Sequence, residues 1–310
     1  MAVSLKGRDF ISIHDFTVEE VEQILETAKY FKMMSKSGQA FQPLKGKTLG
    51  MIFTKPSTRT RISFEVAMYQ LGGYALFLSS QELQLRRGET IADTARVLSR
   101  YLDGIMIRTF SHDDVLDLAR YATIPVINGL TDLLHPCQAM ADVFTVREKK
   151  GTTVGQKLVF LGDGNNVANS LMFAGAKTGM HVVICSPQGY ELKPEIVRMA
   201  REDARLTGAT IEVTNDPREA VRDADVVYTD VWASMGQEAE HEQRVRVMRP
   251  YQVNAELLKL CKPDVIFEHC LPAHRGEEVT DEVMDGPHSV VFDEAENRLH
   301  VQKAILALVM

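Results

Sequence analysis

The sequence predicts an α/β protein of two domains, each a parallel sheet flanked by helices. Three observations carry that prediction. At 310 residues the chain exceeds the comfortable size of one hydrophobic core. From Gly46 onward, short strand-like apolar runs alternate with amphipathic helical stretches, the order that gives a parallel sheet wrapped by helices. The alternation pauses at Lys149-Lys150-Gly151, where cationic residues and a glycine stop a helix, and then begins again. A boundary near residue 150 follows, with one domain over 1–150 and a second over 151–293.

Taken in order, Thr17-Val18-Glu19-Glu20 has the form of a capping box, opening a helix whose apolar face is Val21, Ile24, Leu25, Ala28 and Phe31. Strands are expected near 48–53, 74–78, 104–108 and 124–127, with helices near 58–71, 90–102 and 112–121 between them. Asn128-Gly129-Leu130-Thr131-Asp132 reads as a loop, and a long helix follows over 136–149. The second series places strands near 157–161, 181–185, 210–214, 225–229 and 265–268. In the last segment, 294–310, Leu299, Val301, Ala304, Ile305, Leu308 and Val309 share one helical face. No repeat, low-complexity tract or long linker interrupts the order.

Bulk properties exclude several classes. Hydrophobic content of 45% and charged content of 25% are those of a globular protein. A net charge of −7 argues against nucleic acid as the main partner. The four cysteines, Cys137, Cys185, Cys261 and Cys270, lack zinc-ligand spacing, so no metal is expected. The N-terminus has no signal-peptide pattern, and no apolar run approaches the ~20 residues of a membrane span, so a reducing cytoplasm is the expected home.

The chemistry concentrates first at Phe53-Thr54-Lys55-Pro56-Ser57-Thr58-Arg59-Thr60-Arg61, between a strand-like run and a helix-like one. Hydroxyls and guanidiniums gather where a helix presents unpaired N–H groups and the positive end of its dipole, which is a recipe for holding phosphate. An N-cap alone needs one hydroxyl and no arginine. This stretch resembles the carbamoyl-phosphate-binding signature of the aspartate and ornithine carbamoyltransferases. Lys55 is similar to the ornithine branch, since the aspartate branch has glutamate there. The resemblance runs block by block over essentially the whole chain, and it implies that the C-terminal helix, 294–310, packs back on the first domain.

The other blocks follow from that resemblance. It implies that Ser57, Thr58, Arg59, Thr60, Arg108 and Arg298 bind the phosphate of carbamoyl phosphate. Gln84 lies in a loop that the family lends to a neighbouring subunit; Arg86 stands there where many relatives have glycine. Arg108 and His135 would polarise the carbamoyl oxygen, and Gln138 would bind the amide, a geometry suited to an oxyanion. Asn166 is implied at the carboxylate of the amino-acid substrate. Asp230 and the Ser234-Met235-Gly236 motif are implied around ornithine, and glycine allows that loop to close. In Glu268-His269-Cys270-Leu271-Pro272, the resemblance implies that Cys270 stands beside the δ-amine, with a cis Leu271–Pro272 bond expected to aim the Leu271 carbonyl at the carbamoyl NH₂. The family usually has an apolar residue where this chain has Glu268.

One segment invites a different answer. Leu161-Gly162-Asp163-Gly164-Asn165-Asn166 follows a strand in the manner of a dinucleotide-binding turn, and a nicotinamide-dependent dehydrogenase is the rival from another class. Val167-Ala168 replaces the third glycine, and Ser186-Pro187 follows the next strand where an acid would hold a ribose. A phosphate-sensing module without catalysis is a further alternative, though it would have no use for Asp230 and Cys270.

The expected activity is transfer of the carbamoyl group from carbamoyl phosphate to the δ-amine of L-ornithine, giving citrulline and phosphate. Catalysis would rest on Arg108, His135, Asp230 and Cys270, with no cofactor and no metal. A carbamoyltransferase for putrescine or an acylated ornithine is the nearest alternative. The resemblance further implies a homotrimer with active sites at subunit interfaces, with scope for further assembly.

Overall fold

A computed structural model of the chain describes residues 3–80, 88–233 and 238–310. These form two compact units, Met1–Ala141 with Asn297–Met310, and Asp142–Glu296.

In the first unit the capping box closes in both directions. The Glu20 N–H donates to Thr17 Oγ1 at 3.2 Å, and the Thr17 N–H donates to Glu20 Oε2 at 2.8 Å. Such a cap stabilises the start of α1 (Val18–Lys36) by about 1 kcal/mol. The five apolar residues expected on its inner face are all buried.

Four parallel strands follow: β1 (Thr48–Phe53), β2 (Tyr74–Ser79), β3 (Gly104–Arg108) and β4 (Val126–Leu130), in the order β2-β1-β3-β4. Helices α2 (Thr58–Gln70), α3 (Ile91–Leu98) and α4 (His112–Tyr121) connect them. The chain adds β2 on one side of β1 and β3 on the other. That reversal is a topological switch point, where the strand ends of an open α/β sheet leave room for a ligand.

β4 departs from expectation. Pro125 precedes it, and the strand runs through Asn128 and Gly129 instead of turning there. Asn128 is fully buried and its amide donates to Ile11 O at 3.1 Å. At Gly129 a Cβ would lie 2.5 Å from Met106 Sδ, so this glycine provides close packing inside the sheet. A register shift between Ile107 and Arg108 accommodates the pair.

The last helix, α12 (Val291–Val309), begins earlier than residue 294. Its residues from Asn297 onward belong to the first unit. The Gly7 N–H donates to Val309 O at 2.8 Å, and Lys303 Nζ donates to Ser35 Oγ and Gln70 Oε1 at 2.9 Å. Met310 lies against Gly104, where a Cβ would come 3.0 Å from its Sδ. The C-terminal helix thus packs on the first unit.

The second unit carries five parallel strands: β5 (Lys157–Leu161), β6 (His181–Cys185), β7 (Ile211–Thr214), β8 (Val226–Thr229) and β9 (Ile266–Glu268), ordered β7-β6-β5-β8-β9. Its switch point lies between β5 and β8. α6 (Asn166–Thr178) is buried along its length after its first residue, and Val159, Leu161, Val227 and Phe267 meet Val253 and Val279 in the core. By packing, the two units meet within α5 (Pro136–Lys150), at Ala141/Asp142. Gly151 marks where the helix ends, whereas its packing partners change earlier. Among the described residues, no helix is long and apolar enough to cross a membrane.

Candidate active site

In the first unit, candidate residues collect at the C-terminal ends of β1, β3 and β4. Ser57 is the N-cap of α2: its Oγ accepts from the Thr60 N–H at 3.2 Å and donates to Thr60 Oγ1 at 3.1 Å. Thr58 and Arg59 occupy the exposed first turn of that helix, and Thr60 is buried beneath. Arg108, the last residue of β3, is paired in register with Phe53. From α12, Arg298 donates to Thr60 Oγ1 at 3.3 Å and to Gln138 Oε1. Gln138 lies in the first turn of α5, directly after His135.

The electrostatics of this group are cationic. Lys55, Arg108, His135 and Arg298 are all at least nine-tenths buried. Lys55 is balanced by Asp132 at 2.8 Å and lies 4.5 Å from the centre of the Phe110 ring. Burial pushes the His135 imidazole well below its usual range, and the nearby Arg298, Arg108 and Lys55 push it further. His135 is therefore neutral at pH 7 and able to donate one N–H without adding charge. The whole arrangement suits an anion with a polarised carbonyl.

In the second unit the equivalent ends of β5, β8 and β9 meet at Asp230. Cys270 Sγ donates to Asp230 Oδ1 at 3.1 Å, the Val231 N–H donates to the same oxygen at 2.8 Å, and Asn165 Nδ2 donates to Oδ2 at 2.7 Å. Asn165 is also the N-cap of α6, its Oδ1 accepting from the N–H groups of Val167 and Ala168 at 3.0 and 3.1 Å. Burial raises the Cys270 thiol well above its ordinary range, and the adjacent Asp230 raises it further. Cys270 is thus a thiol, not a thiolate, at neutral pH. Asp163, beside them, is paired with Arg244 at 2.7 Å.

Behind Cys270, buried carboxyls organise the backbone. Glu294 Oε2 accepts from the His269 N–H at 2.8 Å, and its Oε1 accepts from Tyr228 Oη at 3.2 Å. His269 Nδ1 accepts from the Leu271 N–H at 2.9 Å, so Nε2 carries the ring proton, directed at Glu278 Oε1 at 3.2 Å. That ring holds Leu271 at a φ of +57°, a left-handed conformation rare for leucine, beside the cis Leu271–Pro272 bond. Asp230, His269 and Cys270 also offer ligand atoms within 4.8 Å of one another. Both nitrogens of His269 are already committed, so a metal there would cost one of those bonds and the Cys270–Asp230 bond as well.

Glu268, the departure noted in the sequence, is fully buried on β9 beside Tyr228. Burial and the neighbouring Glu294 and Asp142 raise its carboxyl well above the usual carboxylate range, so it is held as the neutral acid. The Gly-x-Gly turn is also explained. A Cβ on Gly164 would lie 2.7 Å from the backbone of Glu191 and Leu192, and its N–H donates to Tyr190 O at 2.8 Å. The close approach that a dinucleotide would need is taken by the chain itself.

Comparisons with known proteins match the chain in two parts. Residues 8–148 match the aspartate/ornithine carbamoyltransferase carbamoyl-P binding domain, and residues 154–309 match the Asp/Orn binding domain of the same family. The chain belongs to the aspartate/ornithine carbamoyltransferase family. It is 64% identical to the ornithine carbamoyltransferase of Thermococcus kodakarensis over 100% of this chain and 98% of that protein. It is 63% identical to the anabolic ornithine carbamoyltransferase of Pyrococcus furiosus, over the same shares. The solved P. furiosus structure superimposes with a TM-score of 0.97, covering 100% of this chain and 99% of that one. An ornithine carbamoyltransferase from Gloeobacter violaceus, 45% identical, gives 0.88 over 99% and 100%.

Of the residues that the family resemblance nominated, Ser57, Thr60, Gln138 and Arg298 are joined by hydrogen bonds, with Arg108 and His135 in the same cationic group. Cys270 and Asp230 are joined in the second unit, with Leu271 next in sequence and Asn166 in the first turn of α6. Gln84, Ser234 and Met235 lie outside the described residues. Sequence reasoning missed Asn165, Glu278 and Glu294. Asn165 had a signal, since an asparagine just before a helix is a cap; its second bond to Asp230 had none.

Proposed function

We propose that this protein transfers the carbamoyl group of carbamoyl phosphate to the δ-amine of L-ornithine, releasing L-citrulline and phosphate. The observation that carries the choice of acceptor is the Asp230–Cys270 pair at 3.1 Å, an acidic group suited to a cationic amine. Relatives about as similar as 64% carry the name ornithine carbamoyltransferase, in keeping with that choice.

In this reading the phosphate of carbamoyl phosphate sits at the N-terminus of α2, met by Ser57, Thr58, Arg59, Thr60, Arg108 and Arg298, with Gln84 supplied by a neighbouring subunit. The neutral imidazole of His135 donates to the carbamoyl oxygen, Arg108 polarises it, and Gln138 with the Leu271 carbonyl holds the NH₂. Asn166 takes the carboxylate of ornithine, and Ser234 and Met235 close over it.

The δ-ammonium, with a reference pKa of about 10.4, must lose a proton before it can attack. Asp230, already hydrogen-bonded to three donors, stabilises the ammonium and lies on the path by which its proton leaves. The Cys270 thiol contributes polarity without a second negative charge that would hold the amine protonated. The freed nitrogen lone pair then bonds to the carbamoyl carbon. Arg108, His135 and Thr60 meet the charge that develops on oxygen, and the C–O bond to phosphate breaks. No covalent enzyme intermediate and no metal are required.

A homotrimer in a reducing cytoplasm completes the proposal, in keeping with four free cysteines. Light scattering should return three times the chain mass of 34.7 kDa. Citrulline formation with ornithine, run beside putrescine, N-acetylornithine and aspartate, tests the reaction. Turnover with ornithine alone, abolished in Arg59→Ala and much reduced in Cys270→Ala, is expected. Turnover with another acceptor would retire the assignment of Asp230 and Cys270 to ornithine. Carbamoyl-phosphate binding without any turnover would reduce the protein to a binding module.

A further inference from the structure

A second group of metal-ligating side chains stands apart from the Asp230–Cys270 pair. His241 is the first residue of α9 (His241–Met248), and His274 and Glu277 lie on the turn that follows Pro272. Nε2 of His241 is 3.1 Å from Glu277 Oε2, and Nδ1 of His274 is 3.7 Å from the same oxygen. All three ligand atoms fall within 4.8 Å of one another. An ion with bonds of about 2.0–2.1 Å in tetrahedral geometry needs its ligands roughly 3.4 Å apart. The two measured edges bracket that value.

The plain alternative is a histidine–carboxylate hydrogen bond at the surface. It accounts for His241, but it leaves His274 Nδ1 at 3.7 Å from the same oxygen, beyond hydrogen-bonding distance. A cation accounts for both nitrogens. The scaffold is also built in advance. The Glu277 N–H donates to His274 O at 2.9 Å, the Gly276 N–H to Val279 O at 2.8 Å, and the His274 N–H to Glu278 Oε1 at 2.5 Å. The residues just after α9 grip the same turn: Arg249 Nη1 donates to Gly276 O at 2.8 Å, and Gln252 Nε2 to Glu277 O at 2.7 Å. Arg275, which could repel an ion, is turned to Asp281 and Asp285 instead.

We propose that His241, His274 and Glu277 form a binding site for a divalent transition ion of the Zn²⁺, Ni²⁺ or Co²⁺ class, with water completing the shell. Two imidazoles and one carboxylate select such ions over Mg²⁺ and Ca²⁺, which take oxygen ligands. The three side chains are between 29% and 46% exposed, which leaves room for an entering ion and its waters. An ion there ties the start of α9 to the turn four residues beyond Cys270, without using the thiol.

Cobalt chloride titrated into the untagged, full-length protein tests this by absorption. One Co²⁺ per chain is expected, with ligand-field bands and no thiolate charge-transfer band. Affinity should fall at least tenfold in the His241→Gln/His274→Gln double variant, checked for native circular dichroism, and in Glu277→Gln alone, while Cys270→Ser binds as before. Absence of binding would overturn the proposal. So would binding indifferent to the histidine changes, or a charge-transfer band that disappears with Cys270.

Discussion

Asn165 is where the helix cap and the chemistry are separable. Its Oδ1 caps α6 and its Nδ2 holds Asp230 at 2.7 Å. Alanine removes both, at about 1 kcal/mol for the cap and about 1.5–3 kcal/mol for a hydrogen bond to a charged group. Serine restores the cap, but its shorter side chain does not span the distance to Asp230. If the Asp230 orientation is expressed in the transition state, Asn165→Ser should therefore lose about 10- to 150-fold in kcat/KM for ornithine. Its melting temperature should lie above that of Asn165→Ala. Steady-state citrulline formation and thermal unfolding of both variants decide the matter. An Asn165→Ser enzyme with full kcat/KM would mean that the Val231 N–H and Cys270 orient Asp230 unaided, and the reasoning about Asn165 would be wrong.

Other consequences are equally direct. The raised Cys270 thiol should react slowly with iodoacetamide at pH 8 and faster only well above pH 9; rapid alkylation near pH 7 would contradict a thiol bonded to Asp230. Because its folded value lies above the unfolded one, Cys270 contributes stability that is complete below the unfolded value of about 8.5 and lost as pH rises towards the folded value. For His135 the sign is opposite: the folded value is depressed, so its contribution is present above about pH 6.5 and lost as pH falls towards the folded value. Its imidazole proton resonance should show no titration between pH 8 and 6, and a midpoint near 6.5 would refute the cationic surroundings. Arg298→Met, which loses Gln138 and Thr60 as partners, should weaken carbamoyl-phosphate binding about tenfold or more by calorimetry. Gly164→Ala forces a Cβ to 2.7 Å from backbone and should cost about 1–3 kcal/mol of stability, read as a lower melting temperature. An unchanged melting temperature would show that residues 190–192 yield easily.

The alternation of strands and helices was legible because parallel strands are short apolar runs between helices, a pattern that survives without knowing any contact; the strand order within each sheet was not. It misled at β4, where Asn128-Gly129 has the composition of a turn. There the glycine answers to Met106 and the asparagine to Ile11, both remote in sequence. Ser57 and Arg59 were visible because a helix start localises its own chemistry. Asn165 was half visible, as a cap but not as the partner of Asp230. Glu278 and Glu294 were not visible, since their work is to hold His269 from outside its own segment. Glu268 stood out only as a departure, and its meaning came from the buried acids around it.

The first unit is completed by residues that the ribosome delivers after the whole of the second. Residues 297–310 emerge only after all of Asp142–Glu296 has been made, yet they supply Arg298 to Thr60 and Gln138, Val309 to Gly7 and Met310 to Gly104. During synthesis the N-terminal sheet must wait with one flank uncovered and its anion group short of a guanidinium. A nascent chain is therefore unable to assemble the cationic group early, and a ribosome stalled within the second unit leaves that group unfinished. The two units are thus completed in the opposite sense to their order along the chain: the one begun second is the first that has all its residues.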